Sequence, residues 1–391
     1  MEPIYLDHAA ATPLRPEVAR ILGGEEARRP ANPSSPHRWG RDARRRLERA
    51  RDQVADALDV PSSRVRFVRG GTEANNLAVL GRFEAARREG ASTRVALSAV
   101  EHSSVREAGM EVTALGGEVV TLSVAPDGTL DSSATSDLLT GSPDGDVPAL
   151  VSCMWVNHET GSILAVEDLV KECRRVGVVS HVDATQGALK FASFPLPPAD
   201  LVSLSAHKLG GPLGIGILLV RDASVLHPRH FGGGQEGELR PGTEDVTGAE
   251  GTAVAFQEVR ASLPREEVRI RTLRDRLEEA LVEAIPELQV HGREGPRAPH
   301  LLNVGLPGLP LDLLPGALDL EGVAASAGAA CRSGAGGASQ VLSSLYGEAH
   351  AEHTAPLRLS LGWTTTEEEV EAAAGIIPQV IHRIRRAGIG P

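Results

Sequence analysis

The sequence predicts an α/β fold with a mostly parallel seven-stranded sheet in a large domain and a smaller α+β domain. Three observations support this. Short apolar runs, rich in β-branched residues or leucine, alternate with segments of helical periodicity between about residues 45 and 220. Glycine adjoins several of the runs at one end, as is typical of strand boundaries. A chain of 391 residues with 41% hydrophobic content is also long enough to bury two cores.

The predicted elements follow in chain order. After a short N-terminal segment, strands are predicted at 65–69, 94–99, 118–124, 149–156, 178–183, 201–205 and 215–220, with helices between them such as 73–88 and 166–176. A long amphipathic helix at 247–284 leads to strands at 288–291, 301–306 and 356–361 and helices at 311–318 and 367–386. We therefore assign residues 16–250 to the large domain, and residues 1–15 and 251–391 to the small one.

Charge and cysteine content restrict the function classes. The net charge of −12 argues against nucleic acid or an anionic membrane as the main partner. The basic run at 41–51 alternates with acidic residues and leucine, which favours a solvated helix face. No apolar run approaches the roughly 20 residues of a membrane span, and we expect a cytoplasmic protein. Cys153, Cys173 and Cys331 lack the spacing of a metal site or a structural disulfide, so neither is expected.

Lys208 is the first candidate for chemistry. Of 40 basic residues only three are lysines, and this one lies in a turn between two predicted strands. Arginine stays protonated, so it cannot replace a lysine that must act as a free amine toward a carbonyl compound. Lys208 is therefore a candidate for covalent catalysis, although a compositional preference for arginine also accounts for the scarcity.

Asp183 is predicted at the end of the strand that precedes the Lys208 strand. A buried carboxylate needs a cation or a hydrogen-bond donor, which is either the protonated ring nitrogen of a cofactor or a local arginine. A carboxylate for a pyridinium nitrogen and a lysine for an aldehyde together are what a pyridoxal 5′-phosphate (PLP) site requires.

Polar residues follow other predicted strands. Gly71 and Thr72 open a helix, where free N–H groups can bind phosphate, although Thr72 can also act only as a helix cap. His102 can stack on a cofactor ring or move protons, or it can cap a helix. Asn157 can hydrogen-bond a cofactor or substrate. Ligands of open α/β sheets bind at such strand ends, so these residues are expected to meet there.

Two further residues are candidates for binding and reacting with a substrate. Cys331 lies in a run of small residues, and the adjacent Arg332 favours the nucleophilic thiolate. Cys153 and Cys173, in contrast, fall in an apolar strand and on a helix, where inert thiols are expected. Arg358 interrupts an apolar strand, and its guanidinium suits either a substrate carboxylate or an interdomain salt bridge.

Ordered motifs along nearly the whole chain resemble the cysteine desulfurases and the related selenocysteine lyases, which share the class V aminotransferase fold of PLP enzymes. The motifs that carry the resemblance are Asp7-His8-Ala9-Ala10-Ala11-Thr12-Pro13, Asn32-Pro33-Ser34-Ser35, Gly71-Thr72-Glu73-Ala74-Asn75-Asn76, Glu101-His102, Asn157-His158-Glu159-Thr160-Gly161, His181-Val182-Asp183-Ala184-Thr185-Gln186, Ser205-Ala206-His207-Lys208, Arg240-Pro241-Gly242-Thr243, Gly328-Ala329-Ala330-Cys331 and Arg358-Leu359-Ser360.

The resemblance implies a role for each residue of a PLP site. Lys208 would bind PLP covalently and move the Cα proton, and Asp183 would pair with the ring nitrogen. Gln186 would contact the ring hydroxyl and His102 would stack on the ring. The residues implied to bind the phosphate are Gly71, Thr72, Ser205, His207 and, from the second subunit of a homodimer, Thr243. The residues implied to bind the substrate carboxylate are Arg358, Asn157 and Asn32.

The implied reaction removes sulfur from L-cysteine, gives L-alanine, and leaves a persulfide on Cys331 for an acceptor protein. Two features keep selenocysteine open as the substrate: His158 stands where the family usually has asparagine, and the motif before Cys331 also resembles selenocysteine lyases. A class V aminotransferase and a non-catalytic binding protein are more distant alternatives. The presence of both Lys208 and Cys331 argues against the binding protein.

Overall fold

The structure is a computed structural model that describes residues 3–28, 32–141, 147–328 and 338–388. Helices α1 to α11 span, in chain order, Pro16–Gly23, Arg38–Leu58, Gly71–Glu89, Ser103–Ala114, Ser132–Thr140, Val166–Val176, Val246–Ala284, Leu313–Asp319, Gln340–Tyr346, Glu348–His353 and Glu367–Arg386. Strands β1 to β12 span Ile4–Tyr5, Val65–Val68, Arg94–Ser98, Glu118–Leu122, Leu150–Ser152, Val179–Asp183, Leu201–Ser205, Gly216–Val220, Gln289–Val290, Leu301–Pro307, Val323–Ala324 and Thr354–Ser360.

The central sheet has seven strands in the order β2-β8-β7-β6-β5-β3-β4. Strand β8 is antiparallel to both of its neighbours, and the other six strands run in one direction. The predicted α/β fold with a mostly parallel seven-stranded sheet is therefore confirmed. Because the carboxyl ends of the six strands meet at one edge, the polar residues that follow them converge there.

The inner strands are buried because both faces of the sheet are covered. All residues of β6, β7 and β8 are buried. The one imidazole among them, that of His181, shares hydrogen bonds with Ser152 Oγ at 2.8 Å and Ser203 Oγ at 2.9 Å. Burial lowers the pKa of His181 to about 4, so the ring is neutral and crosslinks three strands without a buried charge.

Helix α2 corrects the interpretation of the basic run at 41–51. The helix forms, but a solvated face is wrong for Arg46 and Arg51, which are each only 9% exposed. Arg46 donates to Glu250, and Arg51 binds Glu236 with two N–H···O bonds of 2.8 Å. Removing one partner of such a buried pair costs about 3 to 5 kcal/mol, so these arginines fix α2 to the body of the protein.

A second core lies under the antiparallel sheet β12-β10-β9. The buried residues of α7 divide between the two cores: those up to Leu263 pack with the central sheet, and those from Ile270 onward pack with the smaller one. Pro264 lies at this change. The packing of α7 thus changes from one core to the other after residue 263, and the predicted domain boundary is at residue 250. Val341 on α9, which the prediction assigns to the small domain, also packs with the central sheet. The division into domains stays a prediction.

The N-terminal segment joins the second core through Ile4 and Leu6. Strand β1 pairs in parallel with β11, and Leu6 is fully buried in the second core. The segment then crosses to the central sheet, where Thr12 N donates to His207 O. This path carries residues 7–12 along the edge where the strand ends converge. In the described part of the chain, no helix has the length and apolarity that crossing a membrane requires.

Candidate active site

A cavity of about 250 Å³ opens at the carboxyl ends of the parallel strands. It lies between the central sheet, the N-terminal segment and β12. The predicted site residues that line it are Gly71, Thr72, His102, Asp183, Gln186, Ser205, His207, Lys208 and Arg358. The turns after β2, β3, β6 and β7, together with one residue of the smaller sheet, therefore supply one common site.

Lys208 lies in the turn after β7, and its amine points toward the N-terminal segment. Nζ donates to Ala9 O and Ala10 O, both at 2.7 Å. The main-chain oxygen of Lys208 accepts from Thr12 Oγ1 and Lys190 Nζ, both at 3.2 Å. Burial, followed by the charges of Arg15 and Lys208, lowers the pKa of Lys190 to about 8. The turn is thus held from two sides while its amine lies at the cavity.

Asp183 ends β6 beside Lys208 and is only 5% exposed. Its carboxylate accepts from Asn75 Nδ2 at 2.8 Å and from Thr185 N at 2.9 Å. No arginine or lysine forms an ion pair with it within the described ranges, so the alternative of a local arginine is wrong. A buried carboxylate with neutral donors only, at the wall of a cavity, retains the capacity to hold a protonated ring nitrogen.

The start of α3 supplies donors for an anion. Gly70, with φ +121°, precedes Gly71, and Gly71 and Thr72 of the first helical turn line the cavity. The first N–H groups of a helix have no partner within the helix and can bind an anion. The capping alternative for Thr72 is wrong, because the N-cap is Gly70 and no side chain caps the helix. Thr185 Oγ1 is buried and has no hydrogen-bond partner. It lies 3.4 Å from the position that a Cβ on Gly71 would occupy.

The turn after β7 adds two further polar groups to this region. Ser205 Oγ and His207 Nδ1 share a hydrogen bond of 2.9 Å, and both residues line the cavity. Burial, followed by the charge of Lys208, lowers the pKa of His207 to about 4. The imidazole is therefore neutral at physiological pH, and its ring nitrogens can take part in hydrogen bonds to a phosphate without carrying a charge themselves.

His102 and Gln186 have roles in both the fold and the cavity. His102 caps α4 by accepting from Ser104 N at 3.1 Å, and its ring also lines the cavity. The helix-cap interpretation of His102 is therefore confirmed, and stacking on a cofactor ring stays a prediction. Burial lowers the pKa of His102, in part against the charge of Asp183. Gln186 Nε2 donates to Ala9 O at 3.0 Å, which fixes the side chain beside the cavity.

Arg358 on β12 is 2% exposed and binds several groups. Nη2 lies 2.8 Å from Asp7 Oδ1, and Nη1 donates to His158 O at 3.0 Å. Nε is buried without a hydrogen-bond partner. Arg358 thus forms a salt bridge, but its partner Asp7 belongs to the same predicted domain, so the pair is not the interdomain bridge that was the alternative. The guanidinium also lies at the cavity. Binding of a substrate carboxylate there stays a prediction.

Three predicted residues within the described ranges do not line the cavity. Asn157 is fully buried, and its Oδ1 accepts from Glu159 N and Thr160 N at 2.9 Å, so it orders a turn and does not contact the cavity. Its predicted contact with cofactor or substrate stays a prediction. Asn32 and Thr243 are exposed and do not line the cavity. Cys331 lies outside the described residues.

Other cavity residues were not predicted. Asn75 orients Asp183, and His158 is buried in the wall with its ring 5.1 Å from that of His102. Ala9 and Ala10 contribute carbonyl oxygens to Lys208. Asn75 and His158 lie within motifs that were already noted, and placement at strand ends and helix starts was a usable signal. The alanines carry no such signal, because their main chain makes the contact.

Glu101, beside this site, makes the stability of the protein depend on pH. Its side chain is 2% exposed, and Oε1 accepts from Ser98 Oγ and Met154 N, both at 2.8 Å. Burial, with a further contribution from the charge of Asp183, raises the pKa of Glu101 from 4.5 to about 8. The folded state therefore binds one more proton than the unfolded state between these values.

Glu101→Gln is expected to remove this dependence. In the wild type the stabilisation from protonated Glu101 is complete below pH 4.5 and lost as the pH rises through about 8. From about pH 5 to about pH 8.5, the free energy of unfolding in urea should fall more steeply for the wild type than for the variant, by up to about 4 kcal/mol. The exposed Glu111→Gln serves as the control. Equal slopes for wild type and Glu101→Gln would contradict the prediction.

The fold and this site define a class of PLP-dependent enzymes, the class-V aminotransferases, whose family model matches residues 4–373. An IscS-like cysteine desulfurase of Mycobacterium tuberculosis (strain ATCC 25618 / H37Rv) is 38% identical, covering 98% of both chains. The solved structure of a NifS-like protein superposes with a TM-score of 0.86 at 27% identity, covering 97% of this chain and 100% of that one.

A third comparison is a structure described as SspA in complex with cysteine. It has a TM-score of 0.75 at 27% identity and covers 91% of this chain and 98% of that chain. The chain belongs to the cysteine desulfurase family. The cavity residues fit the family's cofactor, since a buried carboxylate, a lysine amine and an anion-binding helix start surround one space.

Proposed function

We propose that the protein is a PLP-dependent cysteine desulfurase that takes sulfur from L-cysteine, releases L-alanine and carries the sulfur as a persulfide on Cys331. The observation that supports this most strongly is the meeting of Lys208, Asp183 and Arg358 at one cavity in a member of this family. These three side chains provide an amine, a carboxylate for a ring nitrogen, and a guanidinium for the substrate.

Residues of this chain would hold the cofactor in defined places. Lys208 would be its covalent anchor, and Asp183 would keep a proton on the ring nitrogen. Gln186 and His102 would contact the ring. The groups that would bind the phosphate are the first N–H groups of α3 with Thr72, Ser205 and His207. When bound, PLP supplies an electron-withdrawing ring that lowers the energy of negative charge on the substrate carbons.

The substrate is oriented by its carboxylate and reacts through its sulfur. Arg358 binds the carboxylate, and Lys208 Nζ takes the proton from Cα and returns it to that carbon before alanine leaves. The Cys331 thiolate forms a bond to the substrate sulfur, and the Cβ–S bond breaks with its electron pair left on carbon. The proton that Cys331 lost on becoming a thiolate completes the methyl group of alanine. The sulfur keeps its own hydrogen, so the products are alanine and a persulfide, and all atoms balance.

The test is a product assay on the purified holoenzyme. L-Cysteine with a thiol reductant should give alanine and sulfide in equal amounts, and mass spectrometry should find the added sulfur on the peptide that contains Cys331. Alanine without sulfide, or sulfur on Cys153 or Cys173, would contradict the mechanism. Parallel rates with L-cysteine and L-selenocysteine then decide between desulfurase and selenocysteine lyase.

Partners follow from the same proposal. Thr243 is exposed and does not line the cavity of its own chain, which is compatible with a contact to the phosphate in the second subunit of a homodimer. The persulfide is passed to an acceptor protein. Sedimentation of the holoenzyme as a monomer would contradict the dimer, and Thr243→Ala in a dimer should weaken PLP retention.

A further inference from the structure

Asn75 is buried in the cavity wall and joins two other residues that line the cavity. It lies on α3 and is only 1% exposed. Its side-chain nitrogen Nδ2 donates to Asp183 Oδ2 and to Ser104 Oγ, both at 2.8 Å. A carboxylate oxygen only accepts, so the nitrogen end of the amide must face Asp183. Both N–H groups of Asn75 are therefore used, one on each neighbour.

The oxygen end of the same amide is unpaired. Asn75 Oδ1 is buried and has no hydrogen-bond partner among the described residues. Buried polar atoms are normally paired, and an unpaired one destabilises the folded state. The protein thus keeps both donors of Asn75 on Asp183 and Ser104, although this orientation leaves the acceptor of the amide without a partner.

Ser104, on α4, connects Asn75 to His102. Ser104 Oγ lies 2.8 Å from His102 Nδ1, and Ser104 N donates to the same ring nitrogen at 3.1 Å. A main-chain N–H only donates, so Nδ1 is an acceptor and carries no proton. The Ser104 hydroxyl, whose oxygen accepts from Asn75, therefore donates its hydrogen to Nδ1. Asp183, Asn75, Ser104 and His102 thus form one chain of hydrogen bonds, and all four residues line the cavity.

These contacts determine the tautomer of His102. A neutral imidazole carries one proton, and because Nδ1 accepts two hydrogen bonds, that proton is on Nε2. A second proton on Nδ1 would lie against the hydrogens of the two donors. The neutral ring therefore offers a hydrogen-bond donor at Nε2 and does not accept a proton there. The role of base at this site is then left to Lys208.

We propose that Asn75 and Ser104 are positioning residues of the site. Asn75 holds the Asp183 carboxylate and, through Ser104, fixes the proton of His102 on Nε2, so that the ring presents a hydrogen-bond donor to the ligand in the cavity. The inference rests on the proposed function, because it assigns these contacts to the PLP site. One half of it concerns Asp183 and the other half His102, and each has its own measurement.

Other groups also act on the His102 ring. Burial lowers its pKa most, the charge of Asp183 raises it, and three cations lower it further: Lys208, Arg106 and Arg358. The His158 ring, 5.1 Å away, is neutral because burial keeps its pKa well below the ordinary value. Substitution of Ser104 removes none of these groups, so a changed titration of His102 would report the donor at Nδ1.

Nitrogen NMR of the holoenzyme with isotope-labelled histidine measures the tautomer, because protonated and unprotonated ring nitrogens differ in chemical shift. His102→Gln identifies the signals of His102, and we expect the proton on Nε2. Ser104→Ala should raise the pH at which His102 takes up its second proton by about 0.5 to 1 unit, since the lost donor stabilises the neutral ring. Ser104→Thr keeps the hydroxyl and should titrate as the wild type does. Ser103→Ala, the matched control one residue earlier on α4, should also titrate as the wild type.

The second readout is the dissociation constant of PLP, from the loss of visible absorbance when the holoenzyme is diluted. Asn75→Leu should raise it about 10-fold, because Asp183 loses a hydrogen-bond donor, and Ser104→Ala should stay within about twofold of the wild type. The double variant should show the His102 titration of Ser104→Ala alone, since Asn75 acts on the ring through Ser104. If Asn75→Leu does not fold, Ser104→Ala decides the His102 half by itself.

Three results would overturn the proposal: a proton on Nδ1 of His102 in the wild type, a wild-type titration of His102 in Ser104→Ala, or a wild-type affinity for PLP in Asn75→Leu. If any of them is found in an enzyme that releases alanine and sulfide from L-cysteine, the desulfurase assignment stands and the role of Asn75 and Ser104 is wrong. If the titrations are as expected but no alanine and sulfide appear, the proposed reaction fails and the hydrogen-bond chain stands.

Discussion

Lys208→Ala is expected to lose both the visible absorbance of protein-bound PLP and the turnover of L-cysteine. Lys208 is the one lysine among the residues that line the described cavity, and its Nζ is held there by Ala9 O and Ala10 O. Without the amine, PLP has no covalent anchor and no group moves the proton at Cα. Removing such an acid–base group alone costs about 10²- to 10⁴-fold in rate.

Two further variants make this result specific. Lys208→Arg keeps the positive charge near Ala9 and Ala10, but a guanidinium does not act as a free amine, so it should fail as Lys208→Ala does. Lys171→Ala removes an exposed lysine of α6 that pairs with Asp168, and it should retain absorbance and activity. An absorbance spectrum that is unchanged in Lys208→Ala would refute the assignment of the cofactor anchor.

The site residues that could be predicted from the sequence are those at the carboxyl ends of the parallel strands. Asp183 and Lys208 could be paired from sequence because each follows a buried strand and the two strands are adjacent. In a parallel sheet, neighbouring strands deliver their next residues to the same edge, so sequence order gives spatial proximity. The helix start at Gly71 was predictable for the same reason, since β2 runs in the same direction as these strands.

Contacts between distant segments were not predictable. Arg51 looked like a surface residue because its partner, Glu236, comes 185 residues later in the chain. Arg358 and Asp7 are 351 residues apart. Periodicity reports which face of an element is apolar, but it does not show which charged residue of another element meets that face. Such pairs appear only when the fold brings the segments together.

Asn157 shows a different limit. Its position after a strand favoured a contact with a ligand. Its side-chain oxygen instead accepts hydrogen bonds from Glu159 N and Thr160 N, two and three residues further along the chain. Asn side chains commonly hydrogen-bond to nearby main-chain groups in this way, and an oxygen engaged there is less available to a ligand. The sequence places the residue near the cavity, and local hydrogen bonding decides where its amide points.

Cys331→Ser is expected to lose turnover of L-cysteine by several orders of magnitude while keeping cofactor absorbance and L-alanine binding. A serine hydroxyl is not ionised at neutral pH and does not form the persulfide. The residues proposed to hold the cofactor, Lys208 and Asp183, are left intact by the substitution. Cys331 lies outside the described residues, so the variant tests the chemistry directly, by alanine release and by spectroscopy.

The other two cysteines provide the control for this variant. Cys153 and Cys173 are buried; burial raises the pKa of Cys173 to about 12 and that of Cys153 well above its ordinary value. Neither thiol ionises at neutral pH, so neither is a nucleophile toward the substrate sulfur. Cys173→Ala should therefore keep wild-type kcat. If Cys331→Ser still released alanine and sulfide at the wild-type rate, sulfur would not pass through Cys331, and the reaction would have to proceed without the protein persulfide.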